Sequence, residues 1–157
     1  MIKRILVPLD GSKLAECALP YAEEIAAKMG VAEVALVSVT ERIQGFMPLE
    51  DPSQPSGVYL RQEAVGKMES QATKYLNRIG KGLETKGIKV VKEVLLGNPA
   101  EEITIYAKNK SCDLIIMASH GRGGPSRWAH GSVADRVFRA ACTPVMMVRA
   151  PGCVAGI

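Results

Sequence analysis

The sequence has few aromatic side chains and few residues of the kinds that bind transition metals. Phe, Trp and Tyr make up 4% of its 157 residues, which disfavours a stacking platform for single-stranded nucleic acid. There are only two histidines, and the four cysteines show no C-x-x-C spacing, so neither a zinc site nor a disulfide framework is indicated. We expect the following residues to be structural: His130, Cys17, Cys112, Cys142 and Cys153.

Long apolar runs are also missing. No stretch approaches the ~20 apolar residues that a membrane-spanning helix needs, and the apolar run near the N-terminus is too short for a secretory signal peptide. The 20 basic and 16 acidic residues are mixed along the chain, and the net charge is +4. This distribution is typical of a solvated surface rather than a nucleic-acid interface. We expect a cytoplasmic protein that binds neither membrane nor nucleic acid.

Short apolar runs alternate with helical periodicity along most of the chain. Strands are predicted at residues 5–9, 34–39, 89–96, 114–118 and 144–148. Helices are predicted at residues 12–30, 60–86, 98–110 and from 132, and a long flexible loop is predicted at residues 40–59. This order predicts an α/β fold with an open five-stranded parallel sheet, strand order 3-2-1-4-5 and helices on both faces. We expect one domain, residues 1–149, followed by a tail, residues 150–157.

Several helix ends carry recognisable signals. Ser12 and Asn98 stand at N-cap positions, and Pro99 follows Asn98 at the first helical position. Gly30 is suited to end the first helix. Pro20 lies inside that helix, where we expect it to remove one hydrogen bond or to kink the helix.

The most informative stretch runs from Leu114 to Asp135. A buried strand leads into a loop with four glycines, and a helix begins at Ser132. Such a loop and helix N-terminus offer unpaired N–H groups to an anion, because the helix dipole favours negative charge there. The predicted neighbour of this strand, residues 5–9, is followed directly by Asp10. The two features converge where ligands bind in open α/β sheets.

These motifs together resemble the universal stress protein family over essentially the whole chain. They include Ile-Leu-Val-Pro-Leu-Asp-Gly-Ser at residues 5–12 and Gly-Asn-Pro-Ala-Glu-Glu-Ile at 97–103. The family's ATP motif is Gly, two residues, Gly, nine residues, Gly and then Ser or Thr. Gly121, Gly131 and Ser132 match it, whereas Ala118 replaces the first glycine.

The resemblance implies a Rossmann-like fold of the adenine nucleotide alpha hydrolase-like type and an ATP site, or an ADP or AMP site, with Mg. It implies that Asp10 lies near the ribose or the metal-bound phosphates. Asp10 is also the one candidate to contact the metal, through Mg-ATP. The residues expected to line the adenine are Pro8, Leu9, Val39, Met117 and Ala118. Those expected near the phosphates are His120, Gly121, Arg122, Gly123, Gly131, Ser132 and Val133.

Each polar residue of this set also has a simpler interpretation. Asp10 is equally suited to a turn, and Ser132 to capping a helix. His120 can bond to the backbone of its own loop, and Arg122 and Arg127 can be exposed loop charges. Trp128 is suited either to packing the loop onto the sheet or to contacting a partner chain.

The function that we expect is that of a nucleotide-binding stress-response regulator that works as a homodimer. By the resemblance, the dimer forms through the last strand, Val145, Met146, Met147 and Val148. The loop at residues 40–59 is a candidate lid. Catalysis is expected to be slow or absent, because there is no G-x-x-x-x-G-K-[ST] loop and Asp10 is the only carboxylate placed near the phosphates. A phosphoacceptor receiver domain needs a cluster of acidic residues at the end of its first strand, and this sequence offers Asp10 alone there. The other alternative is a dimeric interaction module of the same fold that binds no nucleotide.

Overall fold

Five parallel strands form one sheet in the order β3-β2-β1-β4-β5, which confirms the predicted topology. The computed structural model describes residues 1–40, 56–119 and 132–149, of which residues 56–65 and 132 within helices are described by their backbone alone. The strands are β1 (Arg4–Pro8), β2 (Glu33–Thr40), β3 (Val90–Leu96), β4 (Leu114–Ala118) and β5 (Val145–Val148). The helices are α1 (Lys13–Glu16), α2 (Leu19–Met29), α3 (Ser56–Glu84), α4 (Pro99–Asn109) and α5 (Ser132–Ala140).

The central strands are buried on both faces, which is why they consist of continuous apolar runs. One face packs against α1, α2 and α3, and we call this packing the first core. The other packs against α4 and α5, and we call it the second core. The first core is built around Ile5, Val7, Leu9, Ala15, Ala22, Ala26, Val34, Leu36, Leu76, Leu83 and Ile116. The second is built around Leu6, Ala35, Val37, Ala100, Ile103, Tyr106, Ile115, Met117, Ala134 and Val137.

The segment after β1 forms two helices, so the prediction of one kinked helix was wrong. The chain leaves helical hydrogen bonding between Glu16 and Leu19, and Pro20 lies in the first turn of α2. A continuous helix would need Pro20 to donate to the carbonyl of Glu16, which proline cannot do. In the first turn of a new helix, the missing N–H costs nothing. Proline therefore starts α2 here instead of bending a longer helix.

Other boundaries shift by a few residues. Helix α3 begins at Ser56, so residues 56–59 belong to a helix and not to the predicted loop, whose residues 41–55 lie outside the described part of the chain. Strand β2 is one residue longer than predicted at each end. Lys89 and Pro144 precede their strands instead of belonging to them. The predicted tail, residues 150–157, lies outside the described residues.

The predicted caps are correct in position and differ in chemistry. The Oγ of Ser12 accepts a hydrogen bond from the amide of Ala15 at 3.1 Å, as an N-cap serine should. Gly30 ends α2 in the left-handed conformation, with φ of 62°. Asn98 occupies the N-cap of α4, but its side chain makes no capping hydrogen bond. There the fixed φ of Pro99 helps to begin the helix.

Helix α3 approaches β3 closely at one glycine. A Cβ at Gly80 would lie 2.8 Å from Cδ of Lys92 and 3.3 Å from Cγ1 of Val90, whereas a Cβ at Gly82 would meet nothing within 4 Å.

Within the described residues, no helix is long and apolar enough to cross a bilayer.

We expect Gly82→Ala to raise the free energy of unfolding by up to about 1 kcal/mol, because alanine favours the helix and the site is open. Gly80→Ala should give a smaller gain or a loss, because its new methyl group must displace Lys92 and Val90. Urea denaturation of the two variants measures the difference. Equal stabilisation by both would contradict the close approach of α3 to β3.

Candidate functional site

The helices that follow the neighbouring strands β1 and β4 lie on opposite faces of the sheet. After β1 the chain enters α1, whose Ala15 packs in the first core, while α5 after β4 packs Ala134 and Val137 in the second core. No single crossover helix therefore covers the carboxyl ends of both strands. This is the topological switch point at which open α/β sheets bind ligands.

Both strands are held for one residue beyond their ends. The amide of Leu9 donates to the carbonyl of Val37 at 2.8 Å, and the amide of Ser119 donates to the carbonyl of Val148 at 2.7 Å. The first residue after these bonds on the β1 side is Asp10. The rim of the crevice is thus fixed by the sheet itself.

Asp10, Gly11 and Ser12 form a tight turn that carries the chain from β1 into α1. Oδ1 of Asp10 accepts a hydrogen bond from the amide of Ser12 at 2.9 Å, the pattern of an Asx turn. Gly11 has φ of 85°, a conformation that side chains other than glycine rarely adopt. The structure confirms the turn role of Asp10, whose side chain is half-buried directly after the end of β1.

The last two residues of β4 are buried and lie on opposite faces. Met117 packs in the second core, together with Ile115. Because side chains alternate along a strand, the methyl group of Ala118 lies on the face of Ile116, which belongs to the first core. The methyl group at the motif's variant position therefore lies on the face opposite α5.

Helix α5 begins at Ser132, as predicted, on the edge of the sheet where the parallel strands end. The N–H groups of its first turn have no acceptor within the helix. Val133 is half-buried against the second core, next to the buried Ala134. The helix is thereby anchored on the sheet directly behind its first turn.

The predicted adenine-lining residues lie at or near the carboxyl ends of three neighbouring strands, β2, β1 and β4. Pro8 ends β1 and is buried, and Val39 is half-buried near the end of β2. With Leu9, Asp10 and the last residues of β4, they follow one edge of the sheet. The predicted residues outside the described part of the chain are His120, Gly121, Arg122, Gly123 and Gly131, together with Arg127, Trp128, His130 and the side chain of Ser132.

No protein metal centre is found in the part of the chain that the structure describes: no three or more His, Cys, Asp or Glu residues come together there. A site that depends on a metal in this region would therefore use few protein ligands. Asp10 is the carboxylate that the crevice offers on the β1 side.

Sequence reasoning missed a corner where α1 meets α3, next to the Asp10 turn. Glu16 pairs with Lys13 at 2.8 Å and with Arg78 at 3.4 Å, and the guanidinium of Arg78 lies 5.4 Å from the ring centroid of Tyr75. Burial opposes ionisation of Glu16, but the hydrogen bond and charge of Lys13, with the charge of Arg78, lower the pKa of its carboxyl group. In the sequence, Tyr75 is one member of an apolar helical stripe, and nothing there distinguishes its hydroxyl group.

Comparison with known proteins gives a consistent picture. A model described as the universal stress protein family matches residues 1–149. Universal stress protein MJ0531 of Methanocaldococcus jannaschii is 33% identical over 151 residues, which cover 96% of this chain and 84% of the relative.

Solved structures share the fold over nearly their whole length. MJ0577 of the same archaeon superposes with a TM-score of 0.82 at 30% identity, covering 97% of this chain and 99% of that one. Universal stress protein UspA from Lactobacillus plantarum gives 0.81 at 25% identity, covering 94% and 98%.

Two more distant structures share the fold and were solved with ligands. One is a universal stress protein in complex with cAMP, with a TM-score of 0.62 at 19% identity over 94% of this chain and 97% of that one. The other is a universal stress protein family protein from Arabidopsis thaliana with AMP bound, with 0.60 at 16% identity over 96% and 93%.

We expect Glu16→Gln to lower the free energy of unfolding by about 1 kcal/mol at neutral pH, because it removes the charge that Lys13 and Arg78 share. A lowered carboxyl pKa stabilises the fold above the unfolded-state value and loses that effect as pH falls through the folded value. The difference from the parent should therefore shrink below about pH 4.5, the usual glutamate value. Urea denaturation at several pH values measures it.

Glu24→Gln is the matched control, because Glu24 pairs with Lys28 on the exposed surface of α2. It should leave the free energy of unfolding nearly unchanged in ordinary buffer, since salt screens such pairs. A Glu16→Gln effect that is absent, or that grows as pH falls, would contradict the role assigned to this corner.

Proposed function

Because the chain belongs to the universal stress protein family, we propose that it binds an adenine nucleotide, ATP with Mg in the first place, at the carboxyl ends of β1 and β4. Binding would make it a regulatory protein of the cytoplasm, with at most slow hydrolysis. The observation that carries the proposal is the switch point: β1 and β4 are neighbours, β1 leads into the Asp10 turn, and α5 follows β4 on the other face of the sheet. Relatives of the same fold solved with cAMP and with AMP support an adenine nucleotide as the ligand.

The residues present suit such a ligand. We expect the backbone around Pro8, Leu9 and Val39, together with Met117 and Ala118, to line a base at these strand ends. The first turn of α5, at Ser132 and Val133, offers amide donors to phosphates. Asp10 would serve the ribose or the Mg ion. His120, Gly121, Arg122, Gly123 and Gly131 complete the proposed phosphate loop by their place in the motif.

The substitution at the motif's first position is compatible with this site. The methyl group of Ala118 lies on the face of the first core, whereas α5 lies on the other face of the sheet. It therefore takes no space between the strand end and the helix N-terminus. The alternative, an interaction module without a nucleotide, has only the absent glycine in its favour.

The same family membership leads us to propose a homodimer through β5. The carbonyls of Pro144 and Val148 accept from the β4 side. Because backbone direction alternates along a strand, Val145 and Met147 direct their N–H and C=O groups to the open edge. The edge of β5 carries no charged residue, whereas β3, at the opposite edge, carries Lys92 and Glu93. An uncharged open edge invites pairing with a second copy.

Nucleotide binding is tested first by denaturing the purified protein and identifying any released nucleotide. Calorimetric titration with ATP, with and without Mg, covers a preparation that carries none. We expect saturable binding that Mg strengthens and that Asp10→Asn weakens by about tenfold or more, since a charged partner is lost.

Asp113→Asn is the matched control, because Asp113 lies at the amino ends of β1 and β4, away from the proposed site at their carboxyl ends. There its Oδ2 accepts from the amides of Lys3 at 2.7 Å and Arg4 at 2.9 Å. This variant should keep the parent's affinity for ATP. Absence of binding at millimolar nucleotide, with and without Mg, would favour the interaction module.

For the dimer, we expect Met147→Pro to give a folded monomer, because proline removes an edge N–H without breaking a bond to β4. Met147→Leu keeps the N–H and should remain dimeric. Light scattering gives the mass, and circular dichroism checks the fold. A monomeric parent protein, or a folded proline variant that stays dimeric, would contradict pairing through β5.

A further inference from the structure

Phe138 of α5 is the most exposed large apolar residue of the described chain, apart from the N-terminal Met1. It is 56% exposed, although Ala134 and Val137 of the same helix are buried. An aromatic ring left in water forgoes the stabilisation that its burial would give. Because single exposed apolar residues are common on protein surfaces, the meaning of Phe138 depends on where α5 places it.

Contacts on two sides of α5 determine the direction of Phe138. Ala134 and Val137 pack in the second core, toward the sheet. Arg136 pairs with Glu101 of α4 at 3.5 Å, so its flank of α5 faces α4. Two residues correspond to a turn of about 200° around an α-helix. Phe138 therefore lies on the flank of α5 that faces away from α4.

The flank away from α4 is the one beside the open edge of β5. Helix α4 lies toward β3, because the hydroxyl of Tyr106 donates to Oε1 of Glu93 in that strand at 3.0 Å. Helix α5 connects β4 with β5 and shares the second core with Val145 and Met147 of β5. Since β3 and β5 are the two edges of the sheet, Phe138 stands next to the edge through which the homodimer is proposed to form.

Two-fold pairing through β5 would bring the α5 helices of two copies side by side on one face of the joined sheet. Neighbouring strands lie about 4.8 Å apart. A helix above the groove between β4 and β5 would therefore lie about 10 Å from its counterpart across the β5 pair. Helices pack through their side chains at about this distance, 8–10 Å.

The level of Phe138 along the sheet also suits this contact. Helix α5 runs antiparallel to β5 and begins at Ser132, near the carboxyl ends of the strands. Phe138 lies about 9 Å beyond Ser132 along the helix axis, and side chains lean back toward the helix N-terminus. A strand as short as β5 spans about 13 Å. We therefore expect the ring near the middle of β5, where the two-fold axis of a complete β5 pair passes.

A pair of β5 strands alone would be a small interface. The strand has 4 residues, whereas stable specific interfaces bury about 800 Å² per partner. Such interfaces are anchored by aromatic side chains at their centre and bordered by polar ones. Phe138 would supply the aromatic centre. Asp135 and Arg139, which pair with each other at 2.9 Å on the exposed side of α5, suit the border.

We propose that α5 packs against α5 of a second copy across the β5 pair, with the Phe138 ring of each chain at the centre of the contact. The inference rests on the homodimer proposed above and adds a helix surface to the strand edge. Because a two-fold interface uses the same surface of both copies, every substitution at Phe138 acts twice.

The experiment measures the dimer dissociation constant of Phe138→Glu by sedimentation over a dilution series. The constant should rise by at least about thirtyfold, because two aromatic anchors are lost and two like charges meet. Phe138→Leu keeps an apolar side chain and should stay close to the parent. Circular dichroism of both variants should match that of the parent, since Phe138 is exposed within one chain.

Ile105→Glu is the matched control. Ile105 is also a large exposed apolar residue, 50% exposed, but it belongs to α4, and α5 lies between α4 and the β5 edge. The same change of charge at this position should alter the dimer dissociation constant by less than about twofold.

A second measurement tests the contact without destabilising it. In a background with Cys142→Ser and Cys153→Ser, Phe138→Cys should form a disulfide between two copies under mild oxidation, because residues that face each other near a two-fold axis lie within disulfide distance. Ile105→Cys in the same background should stay uncross-linked. Equal cross-linking at the two positions would contradict the proposed contact.

The outcomes separate this inference from the proposed β5 pair. If the parent is a dimer that Met147→Pro dissociates, while Phe138→Glu leaves the dissociation constant unchanged, the α5 contact is overturned and pairing through β5 stands. If the parent protein is a monomer, the proposed homodimer fails first and the α5 contact fails with it. Nucleotide binding is measured separately and is affected by neither result.

Discussion

The structure depends on one constraint of chain path: β1 and β4 are neighbours whose following helices lie on opposite faces of the sheet. Parallel strands need crossovers, and each crossover helix buries the face on which it lies. The ends of these two strands therefore stay uncovered by a common helix, although the strands themselves are fully buried. The residues of the candidate site lie at the ends of these strands, in the turn after β1, or in the segment that leads from β4 into α5.

The Asp10 turn is where packing and site chemistry meet. Its carboxylate bonds to the amide of Ser12, whose own hydroxyl caps α1. Helix α1 then presents Glu16 to Arg78 of α3. A side chain at the rim of the crevice is thus connected to the long helix on the first-core face through a short series of bonds.

Much of the architecture follows from local sequence signals. The run from Leu114 to Ala118 is apolar throughout because its strand is buried on both faces, and that pattern is readable from the sequence alone. The strand order follows from the regular alternation of strands and helices. Ser12 was recognisable because an N-cap depends on residues within three positions of it.

The errors occurred where distant contacts decide. Pro20 was compatible with a kink or with a new helix, and the structure places it in the first turn of α2, where its missing N–H breaks no hydrogen bond. Asn98 has the right residue type and position for a side-chain cap, yet makes no such bond. Glu16 pairs with Arg78, which lies 62 residues further along the chain. Hydrophobic periodicity carries no information about such a contact between distant residues.

A crystal structure of the protein grown with ATP and Mg tests the central claim most directly. The account predicts a nucleotide lying at the carboxyl ends of β1 and β4, with Asp10 on one side of it and the first turn of α5 on the other. A nucleotide bound at any other place would contradict it. So would a structure grown at saturating ATP in which protein side chains fill the space at those strand ends.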